Sequence, residues 1–327
     1  MSGSRFYRDQ TAWRDLQQFL PAGLHMTSDA DMPDEEFWRW GAHNIHLDRY
    51  PNPDAPAKVV LHHGVGTNGR QMNLILGKTL AERGWEVVAL DNLGYGMTEV
   101  GRGTIPGYRD WVQMVTDYLA YEKSRDDRPI VLYGLSAGGM LTYHVAAHAP
   151  RGTLHGIVGM TFLDQRNPQV WRRTSHDIFH ATAGTALFEL LARTPLRGMR
   201  YPMSMASKMS ALCNDRRALK VFLRDKTSAG NWVSAKFIAE YRRYAPDIEA
   251  ADFDICPILL TQPAQDHWTP LELSYPALDP ITKVPVTVIT LDNAGHYPLE
   301  EPGLTLMQDN IDRFVRHVTG TTVARPL

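Results

Sequence analysis

One stretch limits what this chain can fold into more than any other: Pro129-Ile130-Val131-Leu132-Tyr133-Gly134-Leu135-Ser136-Ala137-Gly138-Gly139-Met140. An apolar run stops at a serine set among small residues. A helical pattern starts at once with Leu141, Val145 and Ala149. The pattern predicts a strand, a sharp turn and a helix, with Ser136 at an exposed apex. Gly134, Ala137 and Gly138 offer little side chain to clash in so tight a turn, and glycine tolerates backbone angles that other residues avoid. A Gly-x-Ser-x-Gly sequence between a strand and a helix lifts a serine hydroxyl above the end of a sheet.

The same rhythm recurs on both sides. Lys58 to His62 reads as a short buried strand running into His63-Gly64-Val65-Gly66-Thr67, a loop whose glycines let backbone amides approach an oxyanion closely. Helix-compatible sequence from Met72 to Arg83, a strand from Glu86 to Leu90 and a helix from Pro106 to Lys123 precede the serine turn. A strand from Leu154 to Leu163 ends at Asp164. Strands Pro257 to Thr261 and Pro285 to Leu291 and a helix from Leu304 to Val318 close the chain. Strand then helix, repeated, predicts an α/β class: a mostly parallel central sheet with helices on both faces.

Between about 165 and 250 the strand pattern disappears. Three helical stripes replace it: Ile178, Phe179, Leu187, Leu190 and Leu191; Met209, Leu212, Leu219, Phe222 and Leu223; Trp232, Val233, Phe237, Ile238 and Tyr241. This predicts an inserted helical cap over a core made of 41–164 and 251–320. Methionine adapts to irregular apolar shapes, so Met203 and Met205 are candidate pocket residues. Residues 1–40 read as an extension packed on the core, with Trp13, Leu16, Phe19 and Leu20 at helical spacing and Phe37, Trp38 and Trp40 adding aromatic surface. A homodimer contact is the alternative use of that surface.

Composition excludes several classes. Of 327 residues 43% are hydrophobic and 21% charged, and the formal net charge is -2. These are values of an ordinary globular protein without the basic footprint of nucleic-acid binding. Two cysteines, Cys213 and Cys256, are too few for a disulfide framework. No stretch reaches the ~20 apolar residues of a membrane span, and the first residues lack the apolar run of a signal peptide. The expectation is a soluble, cytoplasmic protein without a stable membrane anchor. The histidines show no paired ligand spacing, so neither a metal nor a cofactor is expected.

Four pieces carry a resemblance: His63-Gly64-Val65-Gly66, Gly134-Leu135-Ser136-Ala137-Gly138-Gly139, Asp266-His267-Trp268-Thr269-Pro270 and Ala294-Gly295-His296-Tyr297-Pro298-Leu299-Glu300-Glu301-Pro302. In this order they resemble the serine hydrolases of the α/β-hydrolase superfamily. Gly101-Arg102-Gly103-Thr104-Ile105-Pro106-Gly107-Tyr108 resembles their monoacylglycerol-lipase and lysophospholipase branch. The resemblance spans about 45 to 320, cap excepted. Leu135 departs from it, since many relatives carry histidine or glutamine there.

The resemblance implies that Ser136 is a nucleophile, His296 its base and Asp266 the acid that orients His296. The amides of Ala137 and of Val65 or Gly66 would form the oxyanion hole. Asp164, at the end of the preceding core strand, is the rival acid, an arrangement similar to that of zearalenone lactonases. Gly64, Leu135, Met203, Met205 and Trp268 are candidate pocket residues. The implied substrate is a small hydrophobic ester or lactone. A carbon–carbon bond hydrolase, an acyltransferase and a slow ligand-binding receptor are the other readings.

Overall fold

The computed structural model describes residues 5–177 and 180–321; Ile178 and Phe179 of the first predicted cap stripe lie outside them. Eight strands form the central sheet: β1 (Asp34–Trp40), β2 (His43–Tyr50), β3 (Lys58–His62), β4 (Glu86–Leu90), β5 (Ile130–Gly134), β6 (Gly156–Gly159), and, after the insertion and its own two strands, β9 (Ile258–Pro263) and β10 (Val286–Leu291). Their order is β1-β2-β4-β3-β5-β6-β9-β10. Only the pairings β1 with β2 and β2 with β4 are antiparallel. The fold is that of an α/β hydrolase.

The central strands β3, β4, β5, β6 and β9 are buried at every residue. That is why they read as unbroken Val/Ile/Leu runs and not as alternating ones: helices cover both faces of such a strand. The edge strands β1 and β10 mix exposed and half-buried positions.

β1 was not foreseen. Its sequence, Asp-Glu-Glu-Phe-Trp-Arg-Trp, is charged where it meets solvent, as edge strands are. It pairs Phe37 with His46 and Trp38 with Ile45. The boundary expected at residue 40 therefore cuts through the sheet, and Phe37, Trp38 and Trp40 are sheet residues. Ahead of it the helix Ala12–Gln17 buries Trp13 and Leu16.

The sheet order locates the functional crevice. From β3 the chain steps outward to β4, then returns across β3 to β5 on its other side. Ligands of open α/β sheets gather at the carboxyl ends of the strands where the order reverses. Here those ends carry His63-Gly64 after β3 and Ser136 after β5.

The segment between β6 and β9 is mainly helical, with Pro168–Thr174, Thr185–Ala192, Met203–Ala206, Arg216–Arg224 and Ala235–Arg243 as its α-helices. It also contains a two-stranded ribbon, β7 (Arg200–Pro202) with β8 (Trp232–Ser234), which the helical stripes did not predict. Three-residue strands are too short to leave a period-2 signal. Among the described residues no helix is long and apolar enough to cross a membrane.

Candidate active site

β5 ends at Gly134, and the helix Ala137–His148 starts three residues later. Ser136 bridges them at φ 58°, ψ -124°, a backbone conformation L residues rarely hold. Glycine is demanded where the turn folds onto its neighbours. A Cβ at Gly134 would overlap the carbonyl oxygen of Gly138, and one at Gly139 would overlap that of Thr161. Gly138, the motif glycine, is less constrained than Gly139. The serine is not the exposed apex expected: only 5% of its surface is accessible, because the insertion closes over it.

The loop after β3 presses against this turn. A Cβ at Gly64 would stand 2.7 Å from the Leu135 carbonyl oxygen and 2.9 Å from the Ser136 Cβ. His63 pins the loop: its Nε2 accepts from the Asn92 amide at 2.9 Å, its Nδ1 lies 2.7 Å from the Gly64 carbonyl, and Asn92 Nδ2 donates to the His63 carbonyl at 3.1 Å. Burial pushes the His63 imidazole toward its neutral form, which has the one donor and one acceptor these contacts use. His63 and Asn92 stand 29 residues apart, so no local pattern in the sequence pairs them. Among the described residues the Val65 and Ala137 amides have no hydrogen-bond partner.

Asp266 sits in the turn after β9. Its Oδ1 accepts from the amides of Trp268 and Thr269, both at 2.8 Å. Its Oδ2 accepts from Thr269 Oγ1 at 2.7 Å and lies 2.8 Å from His296 Nδ1. Burial favours the neutral acid, but the imidazole and the Thr269 hydrogen bonds outweigh it and hold the carboxyl at about 2. Thr269 Oγ1 also lies 3.0 Å from His296 Nδ1, and the Trp268 ring stands 4.7 Å from the imidazole.

A carboxylate only accepts hydrogen bonds, so Nδ1 carries a proton, and in the neutral imidazole Nε2 holds the lone pair. His296 Nε2 is buried and makes no hydrogen bond. The loop that carries it is anchored on both sides: Tyr297 N donates to the Leu212 carbonyl at 2.7 Å, and Tyr297 Oη to the Gln71 carbonyl at 2.7 Å.

Asp164 is elsewhere. Arg166 holds it at 2.8 Å and reaches on to Glu249, and Asp164 faces a separate cavity with Tyr143 and Glu249. The two acids considered from the sequence thus part, and only Asp266 touches His296.

Ser136, Val65, Ala137, Met203, Trp268 and Thr269 line one cavity of about 40 Å³. Of the other residues named for the pocket, Gly64 lies beneath the serine turn and Leu135 is buried in the core. Met205 is 47% exposed and does not line the cavity. Two residues apart on a helical turn means about 200° apart around its axis, so Met203 and Met205 face opposite ways.

Among the described residues, two groups could bring ligand atoms together for a metal ion. One is Glu35, His46 and Asp48; the other is His176, Asp177 and His180. The first already holds the Arg70 guanidinium on Asp48 and near Glu35. In the second, both histidines bond to Asp177. His176 and His180, four residues apart, do have the paired spacing that was read as missing from the sequence.

The profile of the Hydrolase_4 family, described as serine aminopeptidase S33, matches residues 53–303. The chain belongs to that family. Three solved structures show the same fold. A soluble variant of monoglyceride lipase from Saccharomyces cerevisiae, solved with a substrate analogue, is 14% identical with a TM-score of 0.72, over 91% of this chain and 98% of that one. Monoacylglycerol lipase from Paleococcus ferrophilus is 18% identical with a TM-score of 0.61, over 85% and 99%. A thermophilic esterase from Thermogutta terrifontis is 17% identical with a TM-score of 0.59, over 88% and 99%. No curated protein gives a significant match.

Proposed function

We propose that this hydrolase cleaves a carboxylic ester or lactone of a hydrophobic substrate through an acyl-enzyme intermediate. The observation that carries the reading is His296: Nδ1 is held by Asp266, while Nε2 is buried and unpartnered. An imidazole in this state is a ready base. In the proposed first step His296 Nε2 takes the Ser136 proton as Oγ attacks the ester carbonyl. The oxyanion is met by the amides of Val65 and Ala137, each worth roughly 3–4 kcal/mol in comparable sites. The imidazolium, stabilised by Asp266, then gives its proton to the leaving alcohol. Water, deprotonated by the same nitrogen, attacks the acyl-enzyme and releases the acid.

An ester fits the cavity better than a peptide with a free amino terminus. Such a terminus is cationic and calls for a carboxylate, and among the described residues lining the cavity none is acidic. Its walls are Val65, Leu163, Trp171, Met203, Phe237 and Ile238. The insertion acts as a lid in this reading, because about 40 Å³ admits only a few water-sized groups.

A fluorophosphonate probe and nitrophenyl esters of several chain lengths test the proposal. Wild type is expected to be labelled and to turn over esters. Ser136→Ala is expected to stay folded, to lose labelling, and to lose ~10³- to 10⁶-fold in turnover. Equal labelling of both proteins would remove Ser136 from the chemistry.

A further inference from the structure

Six hydroxyl groups line the cavity over Ser136: those of Ser136, Thr174, Ser175, Ser207, Tyr241 and Thr269. Four have protein acceptors. Thr174 Oγ1 donates to Gln165 Oε1 at 3.1 Å, Ser175 Oγ to the Trp171 carbonyl at 2.8 Å, Ser207 Oγ to that of Met203 at 3.1 Å, and Thr269 Oγ1 to Asp266 at 2.7 Å. Ser136 and Tyr241 donate to nothing among the described residues. Ser136 has its use in the reading above. Tyr241 does not.

The Tyr241 oxygen is held from behind. Gln165 Nε2 donates to it at 3.2 Å, and Gln165 Oε1 lies 3.1 Å from Thr174 Oγ1. Gln165 stands in the segment that enters the insertion after β6 and Tyr241 in the helix Ala235–Arg243 near its far end, so the bond joins the two ends of the insertion. The ring is fixed as well, stacked on Phe237 with centroids 6.1 Å apart and tilted against Tyr108 at 5.0 Å. Burial pushes the phenol's proton loss well above its ordinary range. With its oxygen accepting from Gln165, the remaining polar capacity of the group is its own O–H. That donor stands in a cavity whose other hydroxyls, Ser136 excepted, already have protein acceptors.

We infer that Tyr241, positioned by Gln165, is a specificity-determining donor, and that the substrate carries a second oxygen acceptor besides the scissile carbonyl. The inference rests on the proposed ester hydrolysis at Ser136. A plain hydrocarbon chain filling the cavity would cut this half-buried donor off from water and leave it unpaired, and a site built to donate to a substrate oxygen penalises the analogue that lacks it. An oxo group, a ring oxygen or a second ester on an otherwise apolar substrate meets the requirement.

The test compares kcat/KM for nitrophenyl hexanoate with its 3-, 4- and 5-oxo derivatives, in wild type, Tyr241→Phe and Gln165→Leu, each first shown by melting temperature to be folded. Wild type is expected to favour at least one oxo ester by ~10- to 100-fold. Tyr241→Phe should erase most of that ratio. Gln165→Leu should reduce it, and it carries the test by itself if Tyr241→Phe does not fold. No oxo preference in wild type, or a preference that survives both substitutions, overturns the inference. If Ser136 is labelled and plain esters are cleaved without an oxo preference, only this inference falls. If nothing is labelled or cleaved, the ester-hydrolase reading falls and takes it along.

Discussion

His46 and His296 are each 1% exposed, and each has an aspartate against Nδ1: Asp91 at 3.0 Å and Asp266 at 2.8 Å. Beyond that they diverge. Glu35 stands 3.0 Å from His46 Nε2, so both ring nitrogens face carboxylates. Burial opposes the charge on His46, but Asp91 and Glu35 outweigh it and push the imidazole up to about 10. His46 is an imidazolium with no lone pair to offer. Its contact with Asp91 is an ion pair and not a directed hydrogen bond. Arg70 joins it, bonding to Asp48 at 3.0 Å. The cluster holds the N-terminal segment: Tyr7 Oη donates to Asp91 at 2.9 Å, and the amides of Tyr7 and Arg8 donate to Glu35 at 2.6 and 2.9 Å. A histidine–aspartate pair thus does not make a base. The vacancy at the second nitrogen does, and only His296 has it.

The strongest way to break this comparison is at Asp266. Asp266→Asn keeps the shape but favours the wrong tautomer, and a comparable change in a serine protease costs about 10⁴-fold in turnover. A similar loss is expected in ester hydrolysis, whereas Asp164→Asn should cost far less. The reverse ranking would move the acid to Asp164.

His46→Leu should do the opposite: much stability lost, little chemistry. It leaves Glu35 and Asp91 buried without their cation, a kind of loss that costs about 3–5 kcal/mol. Melting should fall by several degrees, while turnover per fluorophosphonate-titrated site stays near wild type. A collapse of turnover per titrated site would mean that the two regions are not independent.

The pH dependence of melting separates the pair more gently. His46 rises on folding from 6.5 to about 10, so its stabilisation is complete below about 6.5 and is lost as pH climbs through 10. Asp266 falls from 3.8 to about 2, so its contribution holds above about 4 and is lost toward pH 2. Wild type should therefore lose melting temperature progressively between about pH 6.5 and 10, and His46→Leu should show a flatter limb there. Identical alkaline limbs would remove His46 as the source. Asp266 stays charged across pH 4 to 10 and cannot shape activity there.

Much of this was legible in consecutive residues. The unbroken apolar runs of β3, β4, β5 and β9 and the serine turn with its glycines follow from local sterics and burial on both faces, whereas the loops carrying Asp266 and His296 were picked out by their resemblance to serine-hydrolase motifs. β1 was not legible, because its aromatic positions are spaced among charges that only an edge strand tolerates. Nor was the ribbon in the insertion, whose partners lie 34 residues apart at Arg200 and Ser234 and 30 apart at Pro202 and Trp232.

By itself the sequence determined the sheet's central strands, the strained serine turn and the set of chemical groups, since each depends on neighbours within a few residues. Only the tertiary structure decided which acid meets His296, because Asp164 and Asp266 end adjacent strands, and Arg166 claims the first while the Trp268–Thr269 turn aims the second at the imidazole. It also decided that Met203 faces the cavity and Met205 solvent, that Ser136 lies covered, and that Gln165 reaches Tyr241 across 76 residues of sequence. Such contacts join residues far apart in the chain, and no local period or propensity encodes which of several chemically equivalent side chains will meet.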